Sequence, residues 1–161
     1  MSYDALFGKT APALTLPNYT GESYTMTPGE DGLPIVLFFY PKAGSSGCTK
    51  EVCQFRDAIA EKAVWKTDKV RVIGLSKDSV EKQKAFVQKE KLTYPVLSDV
   101  HGEALKAYGV GRALLGLLPS ARVTFIIDKK GIVRDALEAT LDPAAHTKFV
   151  TGWLEKLEAE N

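Results

Sequence analysis

The sequence predicts an α/β fold with a central mixed sheet flanked by helices. Three observations carry that expectation. Pro34 to Tyr40 (PIVLFFY) and 70–76 (VRVIGLS) are nearly continuous apolar runs of strand length, as expected of strands buried on both faces of a partly parallel sheet. The segments that follow each run repeat their apolar residues at helical spacing. The stretch 121–128 (ARVTFIID) instead alternates, with Val123, Phe125 and Ile127 set against Arg122, Thr124 and Ile126, and DKKG turns it into IVRDAL.

The elements run in order along the chain. Residues 13–27 read as an N-terminal hairpin extension, with Leu14 and Leu16 alternating on one side of NYTG and Tyr24 and Met26 on the other. PGEDG reads as a turn into the central strand at 34–40. A helix follows, then the strand at 70–76. A second helix is expected to open at Asp78, with Glu81 three residues on in a capping-box pattern. The hairpin of 121–128 with IVRDAL ends the sheet. Asp142 and Pro143 supply an N-cap and first position for a last helix with Phe149, Val150, Trp153, Leu154 and Leu157 on its apolar side. A βαβ unit followed by ββα is the order of a thioredoxin-like fold.

Composition bounds the function. With 161 residues, 45% hydrophobic and no repeat or linker-like run, one domain spanning 1–161 is expected. A net charge of +1, from 21 basic and 20 acidic residues, gives no electrostatic case for nucleic acid or an anionic membrane. The start MSYDALFGKT lacks a basic leader with an apolar core, and LPIVLFFYP and ALLGLLP (113–119) fall far short of a membrane span. A soluble intracellular protein is expected, cytoplasmic, with the nucleus not excluded.

The informative segment is SSGCTKEVC (45–53), which holds both cysteines of the chain, Cys48 and Cys53. Cys48, Val52, Phe55, Ile59 and Ala63 fall at helical steps, so Cys48 begins a helix on its inward face. Unpaired N–H groups and the positive end of the helix dipole favour a thiolate there. Lowering a thiol pKa from ~8.5 to ~6 raises the ionised fraction at pH 7 roughly 30-fold. Nucleophilicity falls roughly 10-fold over the same range. Ionisation alone is therefore a small advantage, and an enzyme would also need groups that hold an electrophile and stabilise developing charge. Ser45 can offer a hydroxyl, backbone N–H groups of the 46–48 turn, Gly47 included, can meet a bound oxygen, and Arg122 can supply a cation from the strand beside the one feeding this loop. Glu51 suits a helix N-terminus and can also orient an arginine. Tyr40 serves equally as core or site, and Pro41 shapes the loop. Five residues along a helix rise about 7.5 Å and rotate ~140°, beyond the ~7 Å Cα separation a disulfide tolerates. Cys48 and Cys53 therefore cannot bond within an intact helix, and if they bond in turnover its first turns must unwind.

FFYPKAGSSGCTKEVCQFRD resembles the active-site segment of peroxiredoxins. The spacing of its cysteines and the run CTKE look like the peroxiredoxin Q, or bacterioferritin comigratory protein, subfamily of the AhpC/TSA-like thiol peroxidases. Pro41, Ser45 and Cys48 fit the family pattern Pro-x-x-x-Thr/Ser-x-x-Cys, and RVTFIID supplies Arg122. GKTAPALTLPN, GLSKDSVEKQKAF, YPVLSD and KAYGV extend the resemblance over essentially the whole chain. It implies that Cys48 attacks hydrogen peroxide or an alkyl hydroperoxide, that Cys53 resolves the sulfenic acid as an intrachain disulfide, and that thioredoxin or a similar dithiol restores both, with no metal or organic cofactor. The subfamily tends toward monomers. Gly44, Ser45 and Ser46 stand where it commonly has Asp-Thr-Pro, which predicts a more mobile loop.

Rival readings are a thiol-disulfide oxidoreductase, whose cysteines usually lie closer as CxxC, and a non-enzymatic redox-sensing or chaperone module. His101, in a turn-like segment, and His146, in the first turn of the last helix, are expected to be structural or solvated. Their spacing with the cysteines does not suit zinc. ALLGLLP is expected either in the core or as a wall of the peroxide pocket.

Overall fold

The structure, a computed structural model, describes residues 3–111 and 120–161. The ALLGLLP stretch lies outside the described residues. Among those described, a sheet of five strands runs in the order β5-β4-β3-β6-β7, beside a separate hairpin of β1 (Leu14–Pro17) and β2 (Ser23–Met26). The strands are β3 (Ile35–Phe39), β4 (Arg71–Ser76), β5 (Val96–Ser98), β6 (Val123–Ile127) and β7 (Val133–Glu138). β3 pairs parallel with β4 and antiparallel with β6, so the apolar run at 34–40 is central, as its composition predicts. The expected N-terminal hairpin forms, with Leu14 opposite Met26 and Leu16 opposite Tyr24.

Alternation along β3 divides the core in two. Ile35, Leu37 and Phe39 join Ile73, Leu75, Val123 and Phe125 on the face covered by the hairpin and by α3 (Glu103–Ala107). Val36, Phe38 and Tyr40 point to the opposite face, where α1 (Ser46–Glu61), α2 (Val80–Glu90) and α4 (Pro143–Ala159) contribute Cys48, Val52, Phe55, Phe86, Val150 and Leu154. Period two on β6 sends Val123, Phe125 and Ile127 to the first face and Ile126 to the second, as the sequence pattern requires. Gly74, opposite Phe38 in the register, leaves room for that ring: a Cβ there would lie 2.6 Å from Phe38 Cζ. Phe38 in turn meets Phe55 edge-on at 4.6 Å between centroids.

Two local expectations are corrected. α2 is capped by Ser79, whose hydroxyl accepts from Lys82 N, and not by Asp78. Asp78 turns instead toward the loop before α1. The helical repeat drawn through Ala63 overruns α1, which ends at Glu61; Ala63 begins a separate 3-10 turn. Strand β5 and helix α3, two short elements, add a third parallel strand and a cover that the pattern did not resolve. The last helix starts as expected, with Asp142 Oδ1 accepting from Ala145 N and Pro143 in its first turn. Among the described residues, no helix is long and apolar enough to cross a membrane.

Candidate active site

The C-terminal end of β3 delivers the chain to a loop beginning at Pro41, which is buried. Gly44 turns this loop with φ of 83°, a conformation glycine adopts without steric cost. Ser45 then takes extended angles (φ −70°, ψ 153°) and caps α1, its hydroxyl accepting from Cys48 N at 3.4 Å and donating to Lys42 O at 3.0 Å. The loop is tied from outside by Asp78, whose Oδ2 accepts from Ala43 N at 2.8 Å and from Ser76 Oγ at 2.6 Å. Behind it, Tyr40 OH donates to Gln83 Oε1 at 2.5 Å, and Gln83 Nε2 donates to Ser76 Oγ and Leu97 O. Burial raises the Tyr40 phenol, so it remains a neutral donor within the core. Its hydroxyl is spent on Gln83.

Cys48 lies in the first turns of α1 and is buried on the helix's inner face. Arg122, just before β6, reaches the same place because β6 lies beside β3 with Val123 opposite Phe39. Its guanidinium is held on three sides: Nη2 donates to Cys48 Sγ at 3.4 Å, Nη1 to Glu51 Oε1 at 2.8 Å, and Nε to Thr140 O at 3.0 Å. Gly47 makes this approach possible, since a Cβ on it would lie 3.0 Å from Arg122 Nη2. The pair Arg122–Glu51 is almost fully withdrawn from water. Such a pair costs desolvation that its attraction must offset, and removing one partner would strand the other's charge. Burial pushes the Glu51 carboxyl up to about 7, against the pull of Arg122.

Thus Ser45, Gly47, Cys48, Glu51 and Arg122 converge at one helix start, and Pro41 and Tyr40 stand behind them. Cys53 does not join them. It lies farther along α1, partly exposed, with Sγ donating to Glu90 Oε1 at 3.5 Å. Burial raises its thiol above the ordinary value and the Glu90 carboxylate adds to that, while Arg56 opposes. α1 runs unbroken through both cysteines, which are free thiols.

His146 is the residue sequence reasoning set aside. It is buried against Glu51, its Nδ1 lying 3.5 Å from Oε2, with Thr124 Oγ1 2.8 Å from Nδ1 and Ala139 O 3.0 Å from Nε2. Burial, with Arg122 nearby, holds the imidazole down at about 4 although the Ala139 contact works the other way. A signal existed: His146, Val150, Leu154 and Leu157 share one helical face. His101, by contrast, is exposed in a turn. Among the described residues no group of three or more His, Cys, Asp or Glu side chains is placed to hold a metal ion.

The model of the AhpC/TSA family matches residues 7–136. A chloroplastic peroxiredoxin Q of Suaeda salsa is 36% identical over 150 residues, 93% of this chain and 68% of that one. The crystal structure of peroxidoxin BcpB from Mycobacterium tuberculosis superposes with a TM-score of 0.80 at 37% identity, covering 94% of this chain and 97% of the other. Peroxiredoxin Q of Xanthomonas campestris gives 0.76 at 25% identity, over 89% and 90%. The thioredoxin-like fold, with a thiol under an arginine at a helix start, is that of a thiol peroxidase, and the chain belongs to the AhpC/TSA family. Within it, the relatives place the chain with peroxiredoxin Q and the bacterioferritin comigratory proteins.

Proposed function

We propose that Cys48 is the peroxidatic cysteine and Cys53 its resolving partner, in one domain spanning 1–161. The observation that carries this is the contact of Arg122 with both Cys48 Sγ and Glu51 at the N-terminus of α1. A guanidinium and a helix start both stabilise a thiolate, and the same guanidinium can hold the peroxide oxygens as charge moves onto them. The Cys48 thiolate attacks one oxygen of hydrogen peroxide or an alkyl hydroperoxide. An S–O bond forms, the O–O bond breaks, and the leaving oxygen takes a proton and departs as water or alcohol. The Cys53 thiol then attacks the sulfenic sulfur, an S–S bond forms, and water leaves. A dithiol of the thioredoxin type reduces the disulfide by exchange.

Two motions belong to this cycle. Cys48 is fully buried, so the 41–47 loop must admit the peroxide, and Gly44 together with the absence of a proline at 46 suits that. The opening turns of α1 must then unwind for Cys53 to reach Cys48. An intrachain disulfide needs no second subunit, and a monomer working in the cytoplasm is the simplest setting. Ser45 serves chiefly as the cap that fixes the Cys48 N–H, its hydroxyl proton being directed at Lys42 O.

One equivalent of hydrogen peroxide added to reduced wild type, Cys48→Ser and Cys53→Ser, followed by intact mass and residual peroxide, tests the assignment. Wild type should lose two hydrogens, Cys48→Ser should consume no peroxide, and Cys53→Ser should gain one oxygen. Slow, equal consumption by all three would overturn it.

A further inference from the structure

The two cysteines of α1 sit in opposite electrostatic settings. Cys48 has the start of a helix and a guanidinium 3.4 Å from its sulfur. Cys53, in the middle of α1, has neither, because the N–H groups around it are taken up within the helix. Its side-chain partner is the Glu90 carboxylate, whose Oε1 accepts from Sγ at 3.5 Å. Arg56 lies nearby, yet its Nε donates to Asp57 Oδ1 and its Nη1 to the Glu90 carbonyl. Cys48 is thus furnished as a thiolate, and Cys53 as a thiol with a proton acceptor.

A thiol becomes a nucleophile only by losing its proton, either beforehand or during the attack. Burial and the Glu90 charge both disfavour a free thiolate at Cys53, with Arg56 opposing. The proton must therefore leave during the attack, to a group already in reach. The charged and titratable groups around Cys53 are Arg56 and Asp57 on its own helix, Glu90 on α2 and Tyr94 before β5. Asp57 is paired with Arg56, and Tyr94 is kept neutral by burial with its proton directed at Val52 O. Among the described residues the Glu90 carboxylate enters no salt bridge, which leaves it open to the thiol. Both residues are half-buried, so water can take the proton onward.

The contact is also fastened on both sides. Glu90 ends α2, and Arg56 binds its carbonyl one turn beyond Cys53, clasping the two helices together. On the near side, Tyr94 OH donates to Val52 O at 2.8 Å. Unwinding the turns before Val52 leaves both clasps in place, so Cys48 can be carried to a thiol that still faces Glu90.

We propose that Glu90 is a catalytic residue of the resolving step: its Oε1 takes the proton of Cys53 as that sulfur attacks the sulfenic acid on Cys48. This role rests on Cys53 being the resolving cysteine. The S–H bond breaks toward Glu90, the sulfur's electron pair forms the S–S bond, and the S–O bond breaks. The departing hydroxide becomes water with the proton that Glu90 returns through solvent.

The test follows disulfide formation by rapid quench and intact mass after one equivalent of hydrogen peroxide, in wild type and Glu90→Gln, from about pH 6 to pH 10, the range in which a thiol titrates. Glu90→Gln keeps the size and an oxygen but takes no proton. At pH 7 it should form the disulfide about 10-fold more slowly or worse, with the sulfenic acid, one oxygen heavier, building up ahead of it. The gap should close to within about 2-fold at the alkaline end, where the thiolate exists without help. A carboxylate that acted only as a charge beside the thiol would give the opposite sign, since removing it eases ionisation. Disulfide formation by Glu90→Gln as fast as wild type or faster would therefore overturn the proposal. A slowing that is the same at every pH would mean that Glu90 merely shapes the contact between helices, and would overturn it too. Failure of wild type itself to form a disulfide would instead remove Cys53 as the resolving partner, which keeps the two claims distinguishable.

Discussion

Gly47 and Arg122 meet so closely that the smallest side chain on Gly47 would press on the guanidinium, its Cβ 3.0 Å from Nη2. Arg122 has little freedom to yield, because Glu51 and Thr140 hold it on its other sides. Gly47→Ala should therefore displace Nη2 from Cys48 by a few tenths of an ångström. Peroxide reduction should slow about 10-fold, given how steeply rates fall with misplacement. Position 47 is helical, where alanine gains up to about 1 kcal/mol over glycine, but the pressure on a guanidinium with little room to move works against that gain and should leave the fold less stable. Stopped-flow peroxide consumption beside a urea titration checks both; undiminished activity would show that the guanidinium's position is not critical.

Ser46 is the first residue of α1, the position proline fits best, and Ser45 already holds the extended angles that a following proline demands. Ser46→Pro should stabilise the folded protein by about 0.4–1 kcal/mol. Since disulfide formation needs α1 unwound, the same increment should slow Cys53 resolution roughly 2- to 5-fold. A rapid-quench time course of disulfide formation, set against urea midpoints, measures the two together. Stabilisation without slower resolution would mean that unwinding starts beyond Ser46.

Asp78 accepts from the Ala43 N–H of the active-site loop and from Ser76, which in turn accepts from Gln83. Asp78→Ala leaves those donors without their acceptor and should cost about 1–3 kcal/mol. Asp78→Asn, which keeps one oxygen, should cost less. Thermal melts of both give the order; equal melts with wild type would show that the tether contributes nothing.

Glu51 and His146 impose opposite pH dependences on stability. The Glu51 carboxyl, at about 7 in the folded protein against an ordinary 4.5, holds a proton that the unfolded chain releases, so its contribution is complete below pH 4.5 and is lost as pH rises to 7. The His146 imidazole, at about 4 against 6.5, contributes above pH 6.5 and loses that as pH falls to 4. The stability of wild type relative to Glu51→Gln should therefore decline between pH 4.5 and 7 and then level off. Urea midpoints of the two proteins across that range supply the curve. A difference that rises with pH would reverse the assigned shift.

How much of this was legible in the sequence varies with the physics behind each element. Arg122 was legible because its strand was expected beside the one that feeds the Cys48 loop, and period-two alternation sets it apart from Val123, Phe125 and Ile127. Capping chemistry marked Asp142 correctly, yet at 78–79 two good cap residues adjoin, and only the loop that borrows Asp78 decides between them. The meeting of Glu51 with His146 joins α1 to α4 across the chain; helical spacing shows which face a residue takes but not which neighbour it finds. The clearance at Gly47 is likewise a property of how Arg122 packs. β5, with three residues, is too short to carry a periodicity.

The central claim is that two thiols kept apart by a folded helix are brought together by unwinding it. Amide hydrogen exchange across residues 46–54, compared between the reduced protein and the protein oxidised by one equivalent of peroxide, tests that directly. The oxidised form should lose protection in this segment and retain it in β3, β4 and β6. Equal protection of 46–54 in both forms, with the disulfide confirmed by mass, would contradict the account.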